Sequence, residues 1–212
     1  MTVLFVTGTG TDIGKTFVTA RLIREARDGD RPVRALKPLL SGFDPAKPEV
    51  SDSGVLLAAM GLAASDENIA TITPWRFTAS LAPNMAARAE NSEVDLEAVI
   101  KFCCTEIARA DIGGETLYIE GVGGLMSPIS DTTTNLDWIA ALGIPALMVA
   151  GTYLGAKSHT LTAVAAMKSA GVVLAGIMIS ESEGEHVGLA ETQGELERFL
   201  GNVAVTVVAR DQ

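Results

Sequence analysis

Residues 8–16 read GTGTDIGKT, directly behind an apolar run, VLFVT at 3–7, and ahead of a helix-like stretch at 15–27. Few local patterns tie a chain so closely to one kind of fold. Gly8, Gly10 and Gly14 allow backbone angles that other residues resist and let main-chain amides approach oxygen atoms. The helix that follows offers unpaired N–H groups and the positive end of its dipole to an anion. Lys15 is suited to neutralising β- and γ-phosphate charge, and the Thr16 hydroxyl to ligating magnesium. The strict pattern GxxxxGK[ST] would want glycine at Thr9, so this loop is one residue longer, from Gly8 to Gly14. A glycine-rich turn that merely caps a helix is the alternative. Strand, glycines, Lys-Thr and helix in this order weigh against it, and a dinucleotide fingerprint GxGxxG is not completed at Ile13. The pattern indicates a phosphate-binding loop in an ATP- and magnesium-dependent enzyme.

The rest of the chain supplies the sheet that such a loop needs. Further apolar runs lie at 33–37, 116–120, 145–149, 173–179 and 203–208. Several are apolar throughout, as expected of strands covered on both faces. Helix candidates fall between them at 52–62, 94–109, 134–141, 157–170 and 187–200. This alternation predicts an α/β fold of the P-loop NTPase type: a doubly wound, mainly parallel sheet with helices on both faces. It also predicts a single domain over residues 1–212. The poorly patterned region 63–93, with Pro74, Trp75 and Pro83, reads as an insertion or substrate loop. Ligands of such sheets sit beyond the carboxyl ends of the strands. Four segments are expected to converge there: 8–16, 37–42, 120–128 and 150–158.

Composition excludes several classes. A net charge of −10 argues against a nucleic-acid partner, which demands Lys and Arg to displace counterions, yet leaves room for a phosphate held by local amides. The start, MTVLFVTGTG, has no basic region followed by a cleavable apolar stretch, and no unbroken apolar run reaches membrane-spanning length. No membrane association is expected, and the expected address is the cytoplasm. Adjacent Cys103 and Cys104 suit neither a structural disulfide nor a zinc knuckle, and His159 and His186 lack ligand spacing. A metal held by soft ligands is not expected.

Three further segments carry chemistry. KPLLSG at 37–42 holds Lys37 at a strand end; EGVGGLMSP at 120–128 puts Glu120 at the end of an apolar strand, suited to direct or indirect magnesium binding. Asp52, in SDS at 51–53, is as readily a helix cap as a ligand. Together, VTGTGTDIGKT, ALKPLLSG, SDS, IEGVGGLMSPISD at 119–131 and LG…SH at 154–159 make the chain resemble the dethiobiotin synthetase family along most of residues 3–180. The extended loop is typical of that family.

The resemblance implies a cyclo-ligase that takes 7,8-diaminopelargonate, carbon dioxide and ATP and closes a cyclic urea. It implies that Thr11 and Ser41 hydrogen-bond the carbamate region and that Lys15 and Lys37 serve both carbamate and γ-phosphate. Gly10, Thr11, Asp12, Ile13, Gly14, Lys15, Thr16, Glu120, Gly121 and Gly123 would surround the nucleotide. Thr16, Asp52 and Glu120 would ligate Mg2+. It further implies a homodimer with the diamine site across the subunit interface, where Leu154, Gly155, Ala156 and Ser158 meet the neighbouring subunit's substrate carboxylate. Family members often carry Asn near Ser158. Ser180 stands where the family places an adenine-reading asparagine, and residues 181–212 contain no proline for the usual base pocket. Serine cannot offer a paired amide face, so relaxed base selectivity is expected.

Rival readings share the loop. Partition-type ATPases carry an extra lysine early in it, where this chain has Gly10. Cobyrinate-type amidotransferase ligases add a glutaminase domain, for which 212 residues leave no space. A non-catalytic binding module would have no need of Lys37 and Glu120 beside the phosphate loop.

Overall fold

The computed structural model describes residues 2–183 and 187–209; His186 lies outside them. The strands of the main sheet are β1 (Val3–Gly8), β2 (Val33–Leu36), β5 (Thr116–Glu120), β6 (Ala146–Ala150), β7 (Leu174–Ser180) and β8 (Val205–Val208), all parallel, in the order β2-β5-β1-β6-β7-β8. β3 (Leu39–Ser41) and β4 (Trp75–Phe77) form a separate parallel pair. Eight α-helices among the described residues flank this frame: α1 (Lys15–Asp28), α2 (Asp52–Ala59), α3 (Asp66–Ile72), α4 (Pro83–Ala89), α5 (Leu96–Gly113), α6 (Asn135–Leu142), α7 (Ala156–Ser169) and α8 (Leu189–Leu200).

The six runs become the main sheet. Its central strands are near-continuously apolar because helices cover them on both sides, and a strand wetted on neither face has no use for alternation. Every residue of β6 is buried. The Phe5 ring of β1 meets Trp138 of α6 edge to face, with centroids 4.9 Å apart, which fixes α6 against the centre of the sheet. Caps set the helix starts: Ser51 accepts from the Gly54 amide at α2, Asp95 from Ala98 at α5, and Thr134 and Asp137 form a capping box at α6.

Region 63–93, expected as an insertion or substrate loop, carries regular structure of its own. It contains α3, β4 and α4, and β4 pairs Leu39↔Trp75 through Ser41↔Phe77 with β3. Local signals existed, since Ser65 caps α3 and Pro83 opens α4. α2 ends at Ala59 rather than 62, where Gly61 takes a positive φ of 77°. Conversely α5 runs on to Gly113 before Gly114 closes it in the left-handed conformation.

Candidate active site

The phosphate loop grows out of β1 and turns into α1 through two left-handed residues, Asp12 (φ 55°) and Gly14 (φ 95°). Such an alternation points successive amides inward, the arrangement that binds anions. Gly8 leaves space of another kind. A Cβ there would fall 3.2 Å from Lys15 Cδ, so the lysine stem runs back across the strand end. Lys15 Nζ then donates to the Gly10 carbonyl at 2.9 Å. Opposite, Gly124 packs so closely on the loop that a Cβ would stand 3.1 Å from Gly10 Cα.

Glu120, at the end of β5, is wholly buried. Its Oε1 accepts from Thr16 Oγ1 at 2.7 Å and from Lys37 Nζ at 2.7 Å. Its Oε2 accepts from Thr19 Oγ1 at 2.7 Å. Lys37, also buried, donates further to the Gly121 carbonyl at 2.9 Å and pairs with Asp52 Oδ2 at 2.9 Å. Asp52 is reached because Ser51 caps α2 and leaves Asp52 at its first turn. A buried lysine without partners would shed its proton; here burial works against the charge, but Glu120 and Asp52 outweigh it and hold the Lys37 pKa above its ordinary value. Burial likewise opposes the Asp52 carboxylate, and Lys37 more than compensates, keeping its pKa below the usual range. Lys15 has no such partner close by. Burial, followed by repulsion from Lys37, lowers its pKa to about 8.

These groups border a cavity of about 680 Å³. Thr11, Asp12, Gly14, Lys15, Thr16, Lys37, Ser41, Asp52 and Gly123 line it, while Glu120 stands behind Thr16 and Lys37. Ser41 Oγ is buried without a hydrogen-bond partner, an acceptor or donor held ready for a ligand. Among the described residues no cluster of three His, Cys, Asp or Glu side chains suits a metal, and no helix is long and apolar enough to cross a membrane. The hard oxygens of Thr16, Asp52 and Glu120 instead match magnesium, which takes few protein ligands and completes its shell with phosphate and water. Gly10 and Ile13 face the other way. With Thr11 and Asp12 they border a second cavity, about 340 Å³, together with Tyr153, Ser182 and Glu183.

A family model described as an AAA domain matches residues 2–210. The ATP-dependent dethiobiotin synthetase BioD of Acidiphilium cryptum is 46% identical over 202 residues, covering 95% of this chain and 89% of the relative. That of Methylobacterium nodulans is 46% identical over 213 residues, covering 99% and 94%. The chain belongs to the ATP-dependent dethiobiotin synthetase family. Solved structures add the fold alone: chloroplast FtsY from Physcomitrella patens (TM-score 0.55, 13% identity, 100% of this chain and 59% of that one) and the MinC:MinD complex of Aquifex aeolicus (TM-score 0.55, 11% identity, 100% and 82%) are similar. Relatives spanning nearly their whole length favour the synthetase reading over the partition-type and cobyrinate-type rivals.

Not every residue expected of a dethiobiotin synthetase joins the cluster. Leu154, Gly155, Ala156 and Ser158 open α7 and border neither cavity; Leu154 is 91% exposed and Ser158 is exposed. Ser180 ends β7 fully buried, and its hydroxyl has no partner. Region 63–93, expected as an insertion or substrate loop, borders the larger cavity through Ser80, Leu81, Ala82 and Pro83, and the expected segment 120–128 through Ser127. Sequence reasoning named none of these as site residues and missed Thr19. Thr19 was within reach: four residues beyond Lys15, it must share that lysine's helix face.

Proposed function

We propose that this chain is a dethiobiotin synthase: an ATP-dependent ligase that carboxylates 7,8-diaminopelargonate and closes the ureido ring. The observation that carries the reading is the pair Lys15 and Lys37 at one cavity, with Thr16, Asp52 and Glu120 between and behind them. One amine of the substrate adds to carbon dioxide and loses a proton, giving a carbamate. Neighbouring ammonium groups disfavour a further cation, so the diamine is held in its nucleophilic neutral form. Thr11 and Ser41 orient the carbamate by hydrogen bonds. The γ-phosphoryl group of ATP passes to a carbamate oxygen, releasing ADP. The second amine then attacks the carbonyl carbon of the mixed anhydride, and phosphate leaves. Lys15 and Lys37 stabilise the charge spread over the transferring oxygens.

Mg2+ is part of this reading: Thr16 and Asp52 would hold it at the cavity, and Glu120 would act from behind through Thr16. When bound it neutralises charge on the β- and γ-oxygens. A homodimer is also part of it. Leu154, Gly155, Ala156 and Ser158 lie outside the chain's own cavities at the N-terminus of a 14-residue helix, which supports a role toward the carboxylate of a diamine in the neighbouring subunit. Ser180, buried and without an amide face, supports a loosely read base. A cytoplasmic location fits a path whose substrates are all small and soluble. The test is direct: incubate the protein with the diamine, bicarbonate, magnesium and ATP, and detect the cyclic urea by mass. Dethiobiotin appearing with ADP is expected; phosphate release indifferent to the diamine would move the protein to the ATPases.

A further inference from the structure

Glu120 is the shared acceptor of the site, and two of the groups it receives, Thr16 and Lys37, both sit on Oε1. A carboxylate held at one oxygen turns easily about its last torsion, whose wells are broad. The other oxygen is fixed by Thr19 at 2.7 Å. Thr19 is wholly buried, on α1 one turn beyond Lys15, and lines neither of the two cavities described above. Its Oγ1 also lies 2.9 Å from the Lys15 carbonyl. A hydroxyl has one proton to give, and the charged acceptor takes it, because hydrogen bonds to carboxylates are the stronger. The carbonyl of Lys15 has the helix's own amide four residues on as its partner.

With both oxygens committed, the orientation of Glu120 is set, and two consequences follow. The Thr16 proton is drawn to Oε1, which leaves the lone pairs of that hydroxyl for a cation. The Lys37 ammonium is drawn to the same oxygen while Asp52 and Gly121 take its other protons. We infer that Thr19 is a positioning residue: by pinning the far oxygen of Glu120 it aims Thr16 and Lys37 at a metal-bound triphosphate. The inference rests on the magnesium part of the function proposed above.

Thr19→Val keeps the branched shape and removes the donor; Thr19→Ser keeps the donor. Calorimetry of Mg·ADP binding to the full chain reads the effect without catalysis. Loss of an outer partner of a metal site typically weakens binding about 10–100-fold, and Thr19→Val is expected to do so. Thr19→Ser should restore it, and binding of ADP in chelator should be the same in all three proteins. On a Glu120→Gln background the addition of Thr19→Val should weaken binding no further, since its route is already cut. Should Thr19→Val not fold, as judged by circular dichroism, Thr19→Ala takes its place with the same expectation. Mg·ADP affinity at the wild-type level in the donor-less variant overturns the inference. So does a Ser variant no better than Val, an equal loss on the Glu120→Gln background, or wild-type ADP binding that ignores magnesium. Wild-type protein that forms no cyclic urea while binding Mg·ADP as described overturns the proposed reaction instead.

Discussion

The charge cluster around Glu120 and the head of α7, which the proposed function turns toward the substrate's tail, are built in opposite ways. Around Glu120, Lys37 and Asp52 every charged group meets an opposite charge or a carbonyl within 2.9 Å, and the central members are sealed from solvent. At the head of α7, Leu154 and Ser158 stand exposed, apart from both cavities. Charges are thus paired within one chain, whereas the proposed function assigns recognition of the rest of the substrate to a neighbouring subunit. Rigidity belongs where charge develops; surfaces that wait for a second body stay open.

The strongest way to break this contrast is at the lysines. Lys37→Ala or Lys15→Ala should lower kcat by about 100-fold or more, the usual cost of removing a preorganised partner of transition-state charge. Steady-state assays of cyclic-urea formation check it; near-normal rates in either variant would remove the electrostatic account. The α7 side gives a smaller and more telling effect. Ser158→Glu introduces an acid where a helix N-terminus welcomes one, so the fold is kept, but it opposes a substrate carboxylate. The KM for the diamine should rise about tenfold while kcat holds. At diamine well below the raised KM, mixing this variant with Lys37→Ala should recover up to about a quarter of wild-type activity, because hybrids of the proposed homodimer regain one intact site in two. No recovery on mixing places α7 outside a shared site.

Next comes pH. Lys15, with its pKa lowered to about 8 by burial and Lys37, loses its proton above that pH in the free protein. A bound polyphosphate favours the ammonium form and raises the pKa. Binding above pH 8 therefore takes up a proton, and affinity falls as pH rises, by roughly tenfold between pH 7 and 9. Calorimetry in buffers of different ionisation enthalpy at pH 8.5 measures the uptake; equal heats would contradict it. The smallest effect concerns the base. With Ser180 buried and no proline in 181–212, turnover with CTP and GTP should lie within about fivefold of that with ATP, less than one good hydrogen-bond pair confers. A strong ATP preference counts against it.

Much of this was legible from the chain alone. The central strands of the main sheet announce themselves because two-sided burial demands near-continuous apolar runs, and GTGTDIGKT carries its own chemistry. What stayed hidden is short or distant. α3 and α4 span seven residues each, too few to display a helical period, and β3 and β4 three each, with partners more than thirty positions apart. Ser80–Pro83 reach the cavity by that long-range pairing, which no neighbouring residue signals. Thr19 looks like any helix residue until Glu120 is seen against it.

Lys15 rests its ammonium on the carbonyl of Gly10, inside its own loop. In the role proposed for Lys15, a nucleotide therefore enters by exchange, taking over a contact already made, and a departing product hands the lysine back to an internal seat. In the proposed reaction the cycle would begin and end with that cation partnered, which eases release of ADP as much as it welcomes ATP.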